Sequence, residues 1–329
     1  MSAIIDGAFV RGPKAKTAMG GTELVALRMI KHIDPEVLKQ FNIILQRVDD
    51  SYISTDKPNI LVLHDLPDRT AEHLRDRELR KRFARICPVS DWQAQRYNLV
   101  LGLPYDEMKV IRNMIEPIES NRGVEPPDPI RIVYHSTPHR GLRILVPVFY
   151  ALADIHPNIE LHLYSSFKIY GWDERDKAFE KVFADAEAHP RIFNHGIVPN
   201  EEIRKILPTM DIYAYPSIWM ECCSLAMIEA LAAGCHVVTP NYASLPETTL
   251  GYAHMYDFAE NIDVHARRFG HTLSVLISKL SSPNHLTGLV RDQALQSSFV
   301  NDYYSVNRVV RKWHNLFREL VPSRATSRA

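Results

Sequence analysis

The chain has 329 residues, 46% of them hydrophobic and 24% charged, a length that suits two domains and a balance typical of a soluble globular protein. Lys plus Arg equals Asp plus Glu, at 39 each, so the basic excess of a nucleic-acid binder is missing and no nucleic-acid partner is expected. No apolar run approaches the ~18 residues of a membrane span, the opening MSAIIDGAFVRGPKAK lacks the basic-then-apolar layout of a signal peptide, and Cys87, Cys222, Cys223 and Cys235 have no zinc spacing; together these predict a reduced, cytoplasmic protein.

Short apolar runs alternate with amphipathic stretches, which predicts α/β units with parallel sheets. In the first part, strands are expected at Ala3–Val10, Phe41–Gln46, Asn59–His64, Arg85–Ser90 and Lys109–Arg112. The helices between them are Thr22–His32, Thr70–Lys81 and Asp91–Val100. The segment EPIESNRGVEPPDP (Glu116–Pro129) is rich in proline and charge, has no periodicity and reads as a linker. The expected division is an N-terminal domain 1–116, a linker 117–129, a second domain 130–300, and a C-terminal helix with a frayed tail, 301–329, packing back on the first domain. In the second part, strands are expected at Ile130–His135, Ile159–Tyr164, Arg191–Asn194, Asp211–Tyr215, His236–Thr239 and Ala253–Asp257. Helices follow at Gly141–Ile155, Asp173–Ala188, Asn200–Leu207, Leu225–Ala233 and Leu245–Leu250, and from Asn261 to Leu320 the chain is helical. In open parallel sheets ligands sit outside the carboxyl ends of the strands, so the residues to weigh are those that follow strands.

The segment DIYAYPSIWMECCSLAMIEALAAGCHVVTPNYASLPE (Asp211–Glu247) carries the most chemistry. It runs strand, loop, helix, strand. The helix amino end near Cys223, Ser224 and Leu225 offers free N–H groups and a partial positive charge to an anion such as a diphosphate. Glu229 lies about 7 Å further along at 1.5 Å per residue, a reasonable distance from a diphosphate to its ribose, whose hydroxyls a carboxylate could accept. Glu221, before the helix, would lie near the sugar. Both glutamates read equally well as surface charges, although Glu229 sits among Ile228, Ala230 and Leu231, and a buried carboxylate needs a partner.

The order strand, Pro-Ser, Glu221, seven residues, Glu229-Ala, then A-x-G and a strand ending in Thr-Pro resembles family 4 of the retaining GT-B glycosyltransferases, with their E-x7-E motif. Val89–Pro117 is similar to the segment that ends the family's first domain, STPHRGL (Ser136–Leu142) to the first loop of its second domain, and MGGTE (Met19–Glu23) to its N-terminal glycine loop. The resemblance implies a GT-B-like α/β fold, two Rossmann-like domains with parallel sheets facing a central cleft. It also implies transfer of a sugar from a UDP- or GDP-linked donor with retention and without metal. The chain departs from the pattern in three places. An Arg usual early in the second-domain loop is replaced at Ser136–Thr137, the common G-F-G after the first Glu is Cys222-Cys223-Ser224, and Met114 follows Asn113 where Gly is usual.

Other residues join these candidates. Gly20 and Gly21 open a helix after the first strand, where the backbone can approach an anion, or simply turn. Glu23 reads as a first-turn helix charge. Arg140 follows a strand, its planar fork suits phosphate, and a cation is disfavoured at a helix start unless an anion accompanies it; Lys168 is a second, weaker cation. His64 and Asp65 end a strand and would serve the sugar or the acceptor, or pack. His135 and His139 have metal-like spacing, but Pro138 intervenes, and no Asp-x-Asp or H-E-x-x-H occurs. No metal and no cofactor besides the donor are therefore expected. The basic run LRDRELRKRFAR (Leu74–Arg85) is a solvated helix face or a peripheral contact with the inner membrane face.

The expected enzyme is a hexosyltransferase-type, retaining transferase acting on a sugar, lipid-linked or protein acceptor in glycan or cell-surface polysaccharide synthesis. Three alternatives stay open: a nucleotide-sugar epimerase, a non-catalytic nucleotide-sugar-binding protein on the same fold, and a Rossmann dehydrogenase, the last disfavoured because no G-x-G-x-x-G follows the first strand.

Overall fold

A computed structural model of the chain describes residues 9–11, 19–120 and 125–321. The chain divides into two compact units, Met1–Met114 with Tyr304–Ala329, and Ile115–Tyr303.

The first unit runs β1 (Phe9–Arg11), α1 (Gly21–His32), α2 (Pro35–Leu38), β2 (Asn42–Leu45), β3 (Asn59–Val62), α3 (Arg77–Arg80), β4 (Arg85–Cys87) and α4 (Asp91–Leu101). Its four-stranded sheet has the order β1-β2-β3-β4, all parallel, with Ile44 opposite Leu61 and Leu61 opposite Ile86. Both faces of β2 and β3 are buried, as expected of a parallel sheet covered on each side. Ile44, Leu61, Phe83, Ile86 and Tyr97 lie in one apolar cluster. Helix α4 starts where the Ser90 hydroxyl accepts from the Gln93 N–H and stops at Gly102, left-handed at φ 69°, the usual pairing of a polar N-cap with a glycine stop.

The second unit runs β5 (Ile130–Tyr134), α5 (Leu142–Ile155), β6 (Ile159–Leu163), α6 (Glu180–Glu187), β7 (Ile192–Asn194), α7 (Asn200–Ile206), β8 (Ile212–Ala214) and α8 (Leu225–Ala232). It continues through β9 (His236–Pro240), α9 (Leu245–Thr249), β10 (His254–Tyr256), α10 (Ile262–Leu280) and α11 (Pro283–Tyr303). The six-stranded sheet has the order β10-β9-β8-β5-β6-β7, again parallel throughout. Strand order reverses between β5, which pairs with β6, and β8, and a reversal of this kind is where such sheets bind ligands.

The last helix, α12 (Val306–Leu320), belongs to the first unit. Its apolar side, Val309, Trp313, Leu316 and Phe317, is buried. Phe317 stacks on Phe41 with ring centroids 4.4 Å apart, and Glu319 receives the Lys109 ammonium at 2.8 Å. Residues 262–320 are thus helical, as the periodicity predicts, in three pieces.

Three expected elements differ. Lys109–Arg112 is no strand: a single bridge joins Met108 to Ile86, followed by bonds from the Lys109 N–H to Ile86 and the Ile111 N–H to Pro88. Pro88 has no N–H to return a bond, so the ladder stops. Thr70–Lys81 is not one helix but a 3-10 turn, Arg69–Arg75, and the short α3. Asp76 breaks it by taking an extended conformation and accepting from the Glu78 N–H, the competition with the helix that aspartate is prone to. Asp173–Ala188 splits likewise into a 3-10 stretch, Asp173–Phe179, and α6, with Asp176 turned back to accept from the Phe167 N–H at 2.8 Å and from the Ser166 hydroxyl. Of the expected strand Ala3–Val10, residues 3–8 lie outside the described residues; β1 begins at Phe9.

Candidate functional site at the carboxyl ends of β5 and β8

Strand β5 ends at Tyr134, and His135, Ser136 and Thr137 lead into a 3-10 turn, Pro138–Arg140. Gly141 then opens α5 at φ 128° and ψ 4°. A Cβ there would lie 2.3 Å from the carbonyl oxygen of Pro216, so this position accepts only glycine: its backbone angle is left-handed and the neighbouring loop occupies the side-chain space. That close approach brings the loop after β5 against the loop after β8.

Arg140 and Glu221 meet there. An Arg140 Nη1 lies 2.8 Å from Glu221 Oε1, and the Tyr215 hydroxyl donates to the same oxygen at 2.6 Å. Burial alone would lower the Arg140 pKa, but the Glu221 charge, with the Tyr215 hydroxyl beside it, outweighs burial and raises it, so the guanidinium stays cationic. Burial, then Glu221, raises the Tyr215 phenol well out of the physiological range, so it remains a donor. Tyr215 packs between Tyr213 and Tyr134, at 5.4 and 6.1 Å, which fixes its direction.

The same loop concentrates buried polar atoms that have no partner among the described residues: His135 Nε2, Thr137 Oγ1, His139 Nδ1 and Arg140 Nε. Buried polar atoms are ordinarily paired, so four such atoms within six residues make this loop a candidate for contact with a polar ligand. His139 is held between Phe167, stacked at 5.1 Å, and Trp219, edge-on at 4.9 Å. Its pKa falls to about 4 through burial, then the charges of Arg140 and Arg175. Burial also brings His135 down to about 4, against the opposing pull of Glu229. Both imidazoles are neutral near pH 7.

Helix α8 begins at Leu225, as expected, with Ser224 as its N-cap accepting from the Met227 N–H at 3.4 Å. That bond satisfies one of the first-turn donors. Cys222 and Ser224 are buried and Cys223 is half-buried.

Glu229 is 1% exposed, and partners that the sequence did not reveal hold it. Asn200 Nδ2 donates to Oε2 at 2.8 Å, and Arg204 Nη1 donates to Oε1 at 3.3 Å. The other Arg204 nitrogen, Nη2, donates to the carbonyls of Glu116 and Pro117 at 2.8 and 3.1 Å. The signal was present in sequence only as the i, i+4 spacing of Asn200 and Arg204 on one helix face. Lys168 is exposed on a 3-10 turn, Phe167–Tyr170.

In the first unit, the backbone N–H groups of His64 and Asp65, at the end of β3, both donate to the side-chain oxygen of Gln46. Gln93 and Tyr97 bond the Asp65 carbonyl at 2.9 and 3.2 Å. His64 is half-buried and Asp65 exposed. Gly20 is the buried N-cap of α1 with φ −76°, Gly21 is exposed, and Glu23 is buried rather than solvated. Four cations of the basic run Leu74–Arg85 are ion-paired, Arg75 with Glu72, Arg80 with Glu107, Lys81 with Glu78 and Arg82 with Asp50, and Arg77 is exposed.

Among the described residues no cluster of three or more His, Cys, Asp or Glu side chains is arranged to hold a metal, and no helix is long and apolar enough to cross a membrane. A shallow hollow of about 400 Å³ lies elsewhere on the second unit, lined by His271, Ser274, Ser278 and Lys279 of α10; no residue of the β5 or β8 loops borders it.

Residues 131–262 match the family model of Glycosyl transferases group 1. This stretch contains His135, Arg140, Tyr215, Glu221 and Glu229. The chain is 27% identical over 172 residues to the amylovoran biosynthesis glycosyltransferase AmsK of Erwinia amylovora, covering 49% of this chain and 40% of that protein. Among solved structures, TarM superposes with a TM-score of 0.59 at 16% identity, covering 89% of this chain and 58% of that one. Anabaena HepE, solved with UDP-glucose, superposes at 0.64 and 16% identity, covering 84% and 79%. At such identities the likeness shows the fold, which is GT-B-like α/β with parallel sheets. The chain spans 40% of the length of AmsK and 58% of that of TarM.

Proposed function

We propose that the chain is a glycosyltransferase that takes a hexose from a nucleoside-diphosphate sugar with retention of configuration and without metal, in glycan or cell-surface polysaccharide synthesis. The observation that carries this is the loop after β5. One cation, Arg140, keeps an unpartnered buried Nε while its Nη1 binds Glu221, and it stands beside further unpartnered polar atoms at the strand-order reversal. An arginine has five N–H donors, so Arg140 can hold Glu221 and a diphosphate oxygen together. The group 1 match over these residues supports the same reading.

In this reading Arg140, Lys168, and the amides of Cys223, Ser224 and Leu225 stabilise charge growing on the leaving diphosphate, which counts most in the transition state. Glu221, aimed by Tyr215 and Arg140, receives sugar hydroxyls. Glu229 receives the ribose hydroxyls. The first unit serves the acceptor through His64 and Asp65, with the Gly20–Gly21 loop. The acceptor oxygen bonds to the anomeric carbon on the face that the diphosphate leaves. The carbon–oxygen bond to the diphosphate breaks, and a phosphate oxygen takes the acceptor's proton, so no side-chain base is needed.

The test is a thermal-shift screen of UDP, GDP and ADP and their common sugars, followed by turnover assays. A bound nucleotide raises apparent stability with the logarithm of its concentration over its dissociation constant. A wild-type protein that no nucleotide shifts would overturn the reading. Product formed from donor alone, with the sugar isomerised, would replace it with an epimerase.

A further inference from the structure

We propose that Asn200 and Arg204 are positioning residues that set the Glu229 carboxylate for a ribose, so that preference for a ribonucleotide is built by α7 as much as by α8. This rests on the reading of Glu229 as the ribose ligand.

Three observations lead to it. First, the two carboxylate oxygens are assigned separately, Oε2 to the Asn200 amide and Oε1 to the Arg204 guanidinium. Two partners on two oxygens fix the plane of the carboxylate as well as its place, and a cis-diol presents two donors that such a fixed plane receives together. Second, the guanidinium is itself anchored, because its other nitrogen holds the Glu116 and Pro117 carbonyls. It therefore transmits a fixed direction rather than following Glu229. Asn200 and Arg204 stand one helical turn apart on the same face of α7, so both reach α8 from a rigid support. Third, His135 lies close enough to feel the Glu229 charge, and its buried Nε2 has no partner among the described residues. In the proposed reading a ribose hydroxyl held by Glu229 could also bond this His135 nitrogen.

A structural ion pair would stabilise the unit without caring which sugar a nucleotide carries, and that separates the two roles. Calorimetry is run with UDP, GDP and ADP, each beside its 2′-deoxy form, and with inorganic diphosphate. The wild-type protein is expected to prefer the ribonucleotide about tenfold, the worth of one good hydrogen bond to a charged group. Arg204→Ala and Asn200→Ala are expected to bring that ratio to within about twofold while leaving inorganic diphosphate affinity unchanged, and Arg204→Lys to fall between. Asn200→Ala keeps the ion pair and gives the same readout where Arg204→Ala fails to fold. Wild-type discrimination that persists undiminished in Asn200→Ala and in Arg204→Lys overturns the inference while leaving the proposed function intact. Equal binding of both sugars by the wild type overturns it too, by removing Glu229 from ribose recognition. Absence of binding by every nucleotide defeats the proposed function itself.

Discussion

Two glutamates flank the start of α8, and the protein holds them in opposite ways. Glu221 precedes the helix and is 5% exposed; Glu229 lies within it and is 1% exposed. Burial does not separate them, but their partners do. Glu221 is held by Arg140 and Tyr215, which both stand just past strand ends, and the Arg140 side chain is 22% exposed. Glu229 is held by α7, through an arginine that also grips the backbone of Glu116 and Pro117. A loop partner can share its donors with an arriving anion; an anchored helix partner keeps its geometry. The difference teaches that one carboxylate is held by loop residues and the other by an anchored helix, so that in the proposed reading the first can be rearranged by a ligand while the second meets it in a fixed geometry.

The comparison breaks first at the arginines. Arg204→Ala leaves a buried carboxylate without its cation, and is expected to cost about 3 kcal/mol of stability, read by urea denaturation. Arg140→Ala is expected to lower turnover about 100-fold with a smaller shift in thermal midpoint, read by steady-state kinetics beside calorimetric melting. Equal stability losses for the two would erase the distinction between the loop-held and the helix-held carboxylate.

Gly141→Ala sharpens it. The added methyl would strike the Pro216 carbonyl at 2.3 Å in a left-handed backbone, so a loss of about 1–3 kcal/mol is expected, together with weaker nucleotide binding as the two loops separate. Acid titration tests the surroundings of both glutamates at once. His135 and His139 have pKa values lowered from 6.5 to about 4. Between those values the unfolded chain binds protons that the folded chain refuses, so stability falls as pH drops through this window. His135→Gln is expected to flatten the slope of unfolding free energy against pH from 6.5 to 4. The smallest effect is expected from Tyr215→Phe, which removes one donor from Glu221 but leaves Arg140 in place: about 1.5 kcal/mol or less, measured by denaturation.

Much of the fold was legible because parallel sheets buried on both faces write themselves as short apolar runs. β2, β3, β5, β6 and β8 all fall within their expected segments, β9 overruns its own by one residue, and α1, α4, α5 and α8 end within one residue of theirs. The failures turn on hydrogen bonds that periodicity does not weigh. At Asp76 a carboxylate caps a new turn instead of continuing a helix, at Asp176 the side chain bonds back to Ser166 and Phe167, and at Pro88 a missing N–H ended a ladder.

The sequence by itself determined the alternation of strands and helices, the glycine before α5, and the placing of Arg140, Glu221 and Glu229 just after strands or on α8, since local pattern and chain order decide these. Only the tertiary structure decided who pairs with whom. Arg140 lies 81 positions from Glu221 and Arg204 lies 25 from Glu229, and no local preference records a meeting made by parallel strands that cross over between neighbours. The charge a buried carboxylate needs was predictable; which cation supplies it depended on the packing of β5 beside β8 and of α7 beside α8.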